Sequence, residues 1–338
     1  MKTVERIHDL YRPSAERVRD FAEVERRLSD AELVAQAERC MACGVPFCFG
    51  SGCPLGNVAP EMAAGVKAGQ WREAWEILTT TSPFPEFTSR VCPSLCENAC
   101  VNNLAADAPV MIRQLEKIII ETAFEKGFVA PVPPVTRSGK TVAVIGSGPA
   151  GLVIADALNR CGHQVTVFEK NARVGGLLRY GIPDFKLEKT VIDRRVKIMR
   201  ASGIEFRCNT VIGSDISAAY LQKTFDAVIV AIGTPAARDL QVPGRELRGI
   251  HFALEYLQGQ NRAVSGELPA APINAADRDV LVIGGGDTGS DCVGTALRQG
   301  ASSVTQIDII PEPPATRSYA TPWPEWAYQL TTSSSQKE

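Results

Sequence analysis

A chain of 338 residues with 45% hydrophobic content is long enough for two or three cores. Its formal net charge of −2 gives no overall pull toward nucleic acid or anionic membranes, and its longest apolar runs are strand-length, so no transmembrane helix is expected. Residues 1–30 are heavily charged and lack the apolar core of a signal peptide, so a cytoplasmic protein is expected, in which ten cysteines suit metal binding or redox chemistry better than structural disulfides.

In residues 1–30, charge alternates with Ile7, Leu10, Tyr11, Val18, Phe21 and Val24. The pattern fits either a segment lying on a surface or a solvated tail. Ser29-Asp30-Ala31-Glu32 has the form of a helix N-terminus with acid in the first turn, and the helix is expected to reach about Cys40. Then come Cys40-x2-Cys43-x4-Cys48-x4-Cys53-Pro54 and, further on, Cys92-x3-Cys96-x3-Cys100. Between them, residues 58–67 and 71–78 have helical apolar spacing and are broken by Gly69, which would carry the first cysteine group back against the second.

Two compact thiolate groups point to soft metal centres. Zinc is the alternative, but four-cysteine zinc sites usually show paired Cys-x2-Cys units, and one such pair occurs here. The run ending in Cys-Pro is closer to a ferredoxin-like string, in which three ligands serve one cluster and the fourth serves another. Cys40, Cys43 and Cys48 are therefore read as one set and Cys53 as part of the other. Two [4Fe–4S] clusters need eight ligands, and seven cysteines are on offer. The helix expected over 110–124 carries Gln114 and Glu116, from which an oxygen ligand could complete the set, although spacing alone favours an exposed helix charge. The three histidines, His8, His163 and His251, sit in no motif, which argues against histidine catalysis or ligation.

Residues 128–139 are proline-rich and read as a semi-rigid linker. Residues 141–145 form a β-branched strand that runs at once into Gly146-x-Gly148-Pro149-Ala150-Gly151. Gly146 suits the tight turn, Gly148 the approach of a pyrophosphate, and Gly151 close helix packing, with the helix N-terminus facing the phosphates. A second strand over 165–168 ends in Glu169-Lys170, where a carboxylate is placed to accept from a ribose diol. The loop holding Gly175, Gly176 and Leu177 is expected to pass close to a flat ligand, and a buried strand over 225–232 ends at Gly233, where backbone would meet the ligand again. The basic run Arg194, Arg195, Lys197 and Arg200 on the helix expected over 188–202 reads as a solvated face. The motif then repeats as Gly284-Gly-Gly286-Asp287-Thr288-Gly289 after a strand over 280–283, and the next strand ends at Asp308. Two nucleotide folds beside metal clusters describe an electron-transfer flavoenzyme, with one site for FAD and one for a nicotinamide.

The segments 40–48 (Cys-Met-Ala-Cys-Gly-Val-Pro-Phe-Cys), 84–97, 146–151, 284–289, 295–301 and Pro311-Glu-Pro-Pro through Pro322-Trp-Pro-Glu-Trp together resemble the small (β) subunit of glutamate synthase over essentially the whole chain. The resemblance implies an α/β protein: a helical iron–sulfur domain over residues 1–130, an FAD-binding Rossmann-like domain over 131–245, and a partial NAD(P)-binding domain over 246–338. It also implies a route in which NADPH reduces FAD and electrons pass singly through two [4Fe–4S] clusters to FMN in a large (α) subunit. There 2-iminoglutarate, made from 2-oxoglutarate and glutamine-derived ammonia, becomes L-glutamate. By the same resemblance Glu116 becomes the non-cysteine ligand. The expected sets are then Cys40, Cys43, Cys48 and Cys100, and Cys53, Cys92, Cys96 and Glu116. Asp308 suits the 2′-hydroxyl of NADH, with Arg317 near enough to offset it for NADPH. Members of the family continue past a Thr-Ser-Ser-Ser segment, so both nucleotide sheets are expected to lack their C-terminal strands and to leave an open edge. The alternatives are an electron-input subunit of the dihydropyrimidine dehydrogenase or ferredoxin:NADP reductase type, and a non-catalytic cluster-binding module.

Overall fold

Ser29 starts the first long helix through a reciprocal cap: its hydroxyl accepts from the Glu32 N–H at 3.2 Å, and Glu32 Oε2 accepts from the Ser29 N–H at 2.8 Å. The structure, a computed structural model, describes residues 4–106 and 108–338. The chain divides into two units. The first takes residues up to Arg17, Glu23–Val129 and Asp308–Lys337; the second takes Val18–Ala22, Ala130–Ile307 and Glu338.

The first unit is helical: α1 Ser14–Arg17, α2 Asp30–Ala37, a π-helical turn at Cys48–Gly52, α3 Ala59–Lys67, α4 Trp71–Thr81, α5 Pro85–Val91, α6 Leu95–Asn98, α7 Asn102–Ala106 and α8 Ile112–Glu125. Met62, Val66, Ala74, Leu78, Leu115 and Ile119 share one core. A Cβ on Gly65 would stand 2.9 Å from Ala74 Cβ, so the glycine lets α3 and α4 close on each other. The N-terminal segment is a surface-lying element, not a solvated tail. Its backbone pairs at Arg12 N to Val24 O (2.9 Å) and Arg26 N to Leu10 O (2.8 Å), and Ile7 and Leu10 pack on Leu28, Leu33, Met111 and Ile118.

Residues 308–337 group with the cysteine unit and not with the second nucleotide fold expected over 246–338. Five prolines between Pro311 and Pro324 keep this segment out of any ladder, and it finds its partners on α6 and the first cysteine loop. Arg317 donates to Thr321 O, Glu325 O and Asn98 Oδ1 at 3.1, 2.8 and 2.8 Å, Asn98 Nδ2 donates to Glu325 O at 2.8 Å, and the Trp323 ring lies 4.6 Å from that of Phe47. The guanidinium expected beside Asp308 is thus engaged with other groups.

The second unit holds β1 Thr141–Ile145, α9 Pro149–Arg160, β2 Gln164–Phe168, α10 Leu177–Tyr180, α11 Lys189–Ala201, β3 Glu205–Arg207, α12 Ala218–Thr224, β4 Ala227–Val230, α13 Ala253–Val264, β5 Asp279–Ile283, α14 Asp287–Arg298 and β6 Ser303–Ile307. One sheet runs β3-β2-β1-β4, all parallel, with Val144 opposite Val167 on one side and Ile229 on the other. The second sheet pairs β5 with β6, also parallel. β4, expected as a buried strand, is instead an edge of its sheet, with Val230 66% and, just past it, Ile232 63% exposed because it pairs on one side alone; β5 leaves Ile283 63% exposed.

Candidate functional site

The cysteines sit where helices end. Cys40 follows α2, Cys48 opens the π-helical turn, Cys53 closes it by donating its N–H to Cys48 O at 2.8 Å, Cys92 caps α5, Cys96 lies in α6 and Cys100 follows it. Gly52 makes the two groups meet. A Cβ there would stand 2.8 Å from Cys96 Cα and from Leu95 O, so no larger residue lets the turn lie on α6. The sequence reading passed over this glycine, although its place directly before Cys53-Pro54 was a usable signal.

Cys40, Cys43, Cys48 and Cys100 line one cavity, walled by Phe47, Ala59, Val110 and Ile112. Burial pushes the Cys40 and Cys48 thiols up, Cys48 to about 11, and the neighbours that add to the rise include Cys100 and Cys43. Burial likewise raises Cys92 and Cys96; Glu116 and Cys53 add to the rise in both, and Glu97 adds more than either in Cys96. Among the described residues, no group of three or more His, Cys, Asp or Glu is arranged to hold a metal ion as it stands. The fit of the first set to a cluster rests instead on the cavity and on its donors, and that of the second set on the chemistry of its donors. Iron takes thiolates, so these raised thiols must lose protons when it binds.

The sulfurs are already solvated by backbone. Ala42 N–H points to Cys40, Phe49 N–H to Cys48, Asn57 N–H to Cys53 Sγ at 3.5 Å and Ser94 N–H to Cys92 Sγ at 3.4 Å. Ala42 and Ser94 each stand two residues after a cysteine and hold φ of 47° and 66°, a left-handed conformation that non-glycine residues adopt at a cost. Both cysteine strings thus begin with the same turn, aimed at sulfur. Such N–H···S contacts stabilise thiolate and set cluster potential.

Glu116 is 5% exposed, which overturns the exposed helix charge favoured by spacing. Along α8 the buried positions include Gln114, Leu115, Glu116, Ile118 and Ile119, a stripe wide enough to take in the carboxylate. Burial pushes its carboxyl up to about 7, Asn57 Nδ2 opposes this by donating to Oε1 at 2.8 Å, and Glu97 adds to the rise. Gln114, the other oxygen candidate, donates to Glu25 Oε2 at 3.0 Å. Asn57 was not foreseen, because nothing local marks an asparagine as the partner of a residue 59 positions away.

The two nucleotide turns share one construction. Gly146 and Gly284 hold φ of 102° and 124°. A Cβ on Gly151 would run into Gly146 O, and one on Gly289 into Gly284 O, so both glycines permit helix-on-strand contact. Gly148 and Gly286 differ: φ is −67° and −75°, and a Cβ on either would meet nothing within 4 Å. Neither backbone conformation nor packing requires a glycine there. Pro149 and Ala150, and likewise Asp287 and Thr288, are exposed at the helix N-termini. Glu169 is 4% exposed and accepts from Ser147 N–H and Oγ at 3.2 and 2.5 Å and from Asn171 N–H and Nδ2 at 2.8 and 2.7 Å. Lys170 beside it is exposed. Gly175 N–H donates to Ser147 Oγ at 3.0 Å, and a Cβ on Gly176 would stand 2.6 Å from Gly148 Cα, so that loop closes on the turn. Leu177 is 50% exposed next to it, and Gly233 holds φ of 68° past β4. Exposed Asp308 lies just past β6 and takes the N–H of Ile309 at 2.7 Å.

Residues 17–128 match the family described as dihydropyrimidine dehydrogenase domain II, 4Fe-4S cluster, and residues 140–327 match pyridine nucleotide-disulphide oxidoreductase. The glutamate synthase [NADPH] small chain of Mycobacterium tuberculosis is 50% identical over 332 residues, covering 97% of this chain and 68% of the relative. The glutamate synthase [NADH] of Saccharomyces cerevisiae is 46% identical over 323 residues, covering 95% of this chain and 15% of the relative. Among solved structures, Mycobacterium tuberculosis FprA in complex with NADPH aligns with a TM-score of 0.43 at 24% identity over 49% of this chain and 42% of that one. Among the described residues no helix is long and apolar enough to cross a membrane. With a 4Fe–4S domain, a pyridine-nucleotide oxidoreductase domain and half of its residues shared with a small chain across nearly its whole length, the chain is an oxidoreductase that belongs to the glutamate synthase small-chain family.

Proposed function

We propose that this chain is the electron-input subunit of a glutamate synthase, taking electrons from NADPH and delivering them to a large subunit that carries FMN and makes L-glutamate from L-glutamine and 2-oxoglutarate. FAD supplies the exchange of a hydride for single electrons, and two [4Fe–4S] clusters carry those electrons one at a time. The chain's own residues bind and orient. The turn at 146–151 and Glu169 hold FAD, with Lys170, Gly175, Gly176, Leu177 and Gly233 around it. Gly284, Gly286, Asp287, Thr288, Gly289 and Asp308 hold the nicotinamide nucleotide. Cys40, Cys43, Cys48 and Cys100 hold one cluster; Cys53, Cys92, Cys96 and Glu116 hold the other. The cluster domain takes residues 1–130 with 308–337, the FAD-binding domain 131–245, and the nicotinamide-binding domain the part of 246–338 that ends at Ile307.

The observation that carries this reading is the presence in one chain of two turns of shared construction, in which the second glycine of each faces open space, and of four cysteines that line one apolar cavity of the helical unit. The test mixes the reconstituted chain with a purified large subunit, NADPH, L-glutamine and 2-oxoglutarate, and follows L-glutamate. Formation that depends on this chain and exceeds that with NADH supports the proposal. Full activity with another electron-accepting protein and none with the large subunit contradicts it.

A further inference from the structure

The second donor set hangs on separate pieces of chain: Cys92 caps α5, Cys96 lies in α6 and Glu116 on α8. Each piece bears a charge close to its donor. Arg90 stands two residues before Cys92, Glu97 directly after Cys96, and Arg113 and Lys117 flank Glu116. These four side chains are only 6–15% exposed. Their partners come from the N-terminal segment. Glu23 accepts from Arg90 Nε at 2.5 Å and from Lys117 Nζ at 3.2 Å. Glu25 accepts from the Arg113 guanidinium, from Gln114 Nε2 at 3.0 Å and from Lys117 Nζ at 3.1 Å. Arg6 Nη2 donates to Glu97 Oε2 at 2.8 Å. The lattice then closes on itself, because Arg113 N–H donates to Glu97 Oε1 at 3.0 Å and Arg113 Nη1 to Ser89 O of α5 at 2.9 Å.

Buried ion pairs contribute little net stability, since desolvation offsets much of their attraction, but they fix geometry and penalise the loss of either partner. A lattice that ties every helix of one donor set to a single segment fits that use. We propose that the N-terminal segment is part of the second cluster site, with Glu23, Glu25 and Arg6 as positioning residues that hold α5, α6 and α8 at the separation the cluster requires. None of the three is a ligand; they act through Arg90, Arg113, Lys117 and Glu97. The inference rests on the ligand reading of Cys53, Cys92, Cys96 and Glu116 given above.

The test uses the full chain reconstituted anaerobically with iron and sulfide, and reads the midpoint potential of each cluster by a redox titration followed by EPR. Glu116→Cys first identifies the signal of the second set, because it exchanges an oxygen ligand for sulfur there. Glu25→Gln is then expected to shift that same potential upward, since Arg113 and Lys117 lose a counter-charge beside it, and to leave the other potential unmoved. Arg6→Gln gives a milder variant in the same segment, where Arg6 pairs with Glu97 at 2.8 Å, and is expected to shift the same potential downward, since Glu97 loses a counter-charge. A general loss of stability does not single out one cluster. Movement of both potentials together, or of neither, in whichever variant folds overturns the inference. If Glu116→Cys moves neither signal, the ligand reading falls and takes the inference with it. If Glu116→Cys moves one signal and the glutamine variants do not, the inference alone falls.

Discussion

Asn57 Nδ2 donates to Glu116 Oε1 at 2.8 Å, and both side chains are buried, at 3% and 5% exposure. Thr81 Oγ1 donates to Asn57 Oδ1 at 2.7 Å, so the amide is oriented from behind, and the Asn57 N–H faces Cys53 Sγ at 3.5 Å. One residue thus steadies two members of the second donor set. Replacing Asn57 with Ala removes a hydrogen bond to a buried carboxyl group, at a cost of about 2 kcal/mol in stability. Iron in the anaerobically reconstituted protein should fall from about eight per chain toward about four. Glu116→Ala should do the same. Full iron with an unaltered spectrum in both variants would remove Glu116 from the ligand set.

The acid response should be dominated by Glu25. Burial acts to raise its carboxyl, but Arg113, Lys117 and the hydrogen bonds from Arg113 and Gln114 overcome that and hold it at about 2, below its ordinary 4.5. A carboxyl group with a lowered folded-state pKa stabilises the fold above its unfolded value, and that stability is lost as pH falls through the folded value. That contribution is present above pH 4.5 and lost progressively toward pH 2. Urea unfolding of the parent and of Glu25→Gln, compared at stepped pH, should show a gap that is constant above pH 5 and narrows below it. A gap independent of pH would place the effect elsewhere.

Gly148 and Gly286 give the most selective substitutions in the second unit. Because a Cβ at either meets nothing within 4 Å and φ is negative, a valine should fold with little loss. Gly148→Val should abolish bound FAD while melting stays near that of the apoprotein. Gly286→Val should keep FAD and weaken nicotinamide binding by at least tenfold. FAD content measured on the purified variants, with a calorimetric titration of NADPH, checks both. Undiminished FAD in Gly148→Val contradicts the site.

The strands and turns of the second unit were legible because strand period and glycine spacing are local signals. β1, β2, β5 and β6 fall within one or two residues of their expected bounds, Gly146 takes the turn with positive φ, and Gly151 gives the close helix packing expected of it. The cysteine spacing likewise suggested two sets before any geometry was known. What stayed hidden depends on distant partners. Periodicity shows that α8 has a buried face but not that Glu116 joins it, because the group that makes burial tolerable is Asn57 on another part of the chain. The charges of residues 1–30 resemble those of a solvated tail until Arg90, Arg113 and Lys117 are seen to need them. The left-handed turns at Ala42 and Ser94 carry no glycine to announce them.

The electron path proposed above joins a nicotinamide site, a flavin and two iron–sulfur clusters in one chain. The most direct measurement is an anaerobic equilibrium titration of the reconstituted, FAD-loaded chain with NADPH, followed by flavin absorbance and low-temperature EPR. Loss of the flavin band is expected together with the appearance of signals from reduced clusters, and Gly286→Val, rapidly mixed with the same sub-saturating NADPH, should reach both at least tenfold more slowly. A colourless protein that holds zinc, or a flavin that bleaches at the same rate in the parent and in Gly286→Val, would contradict it.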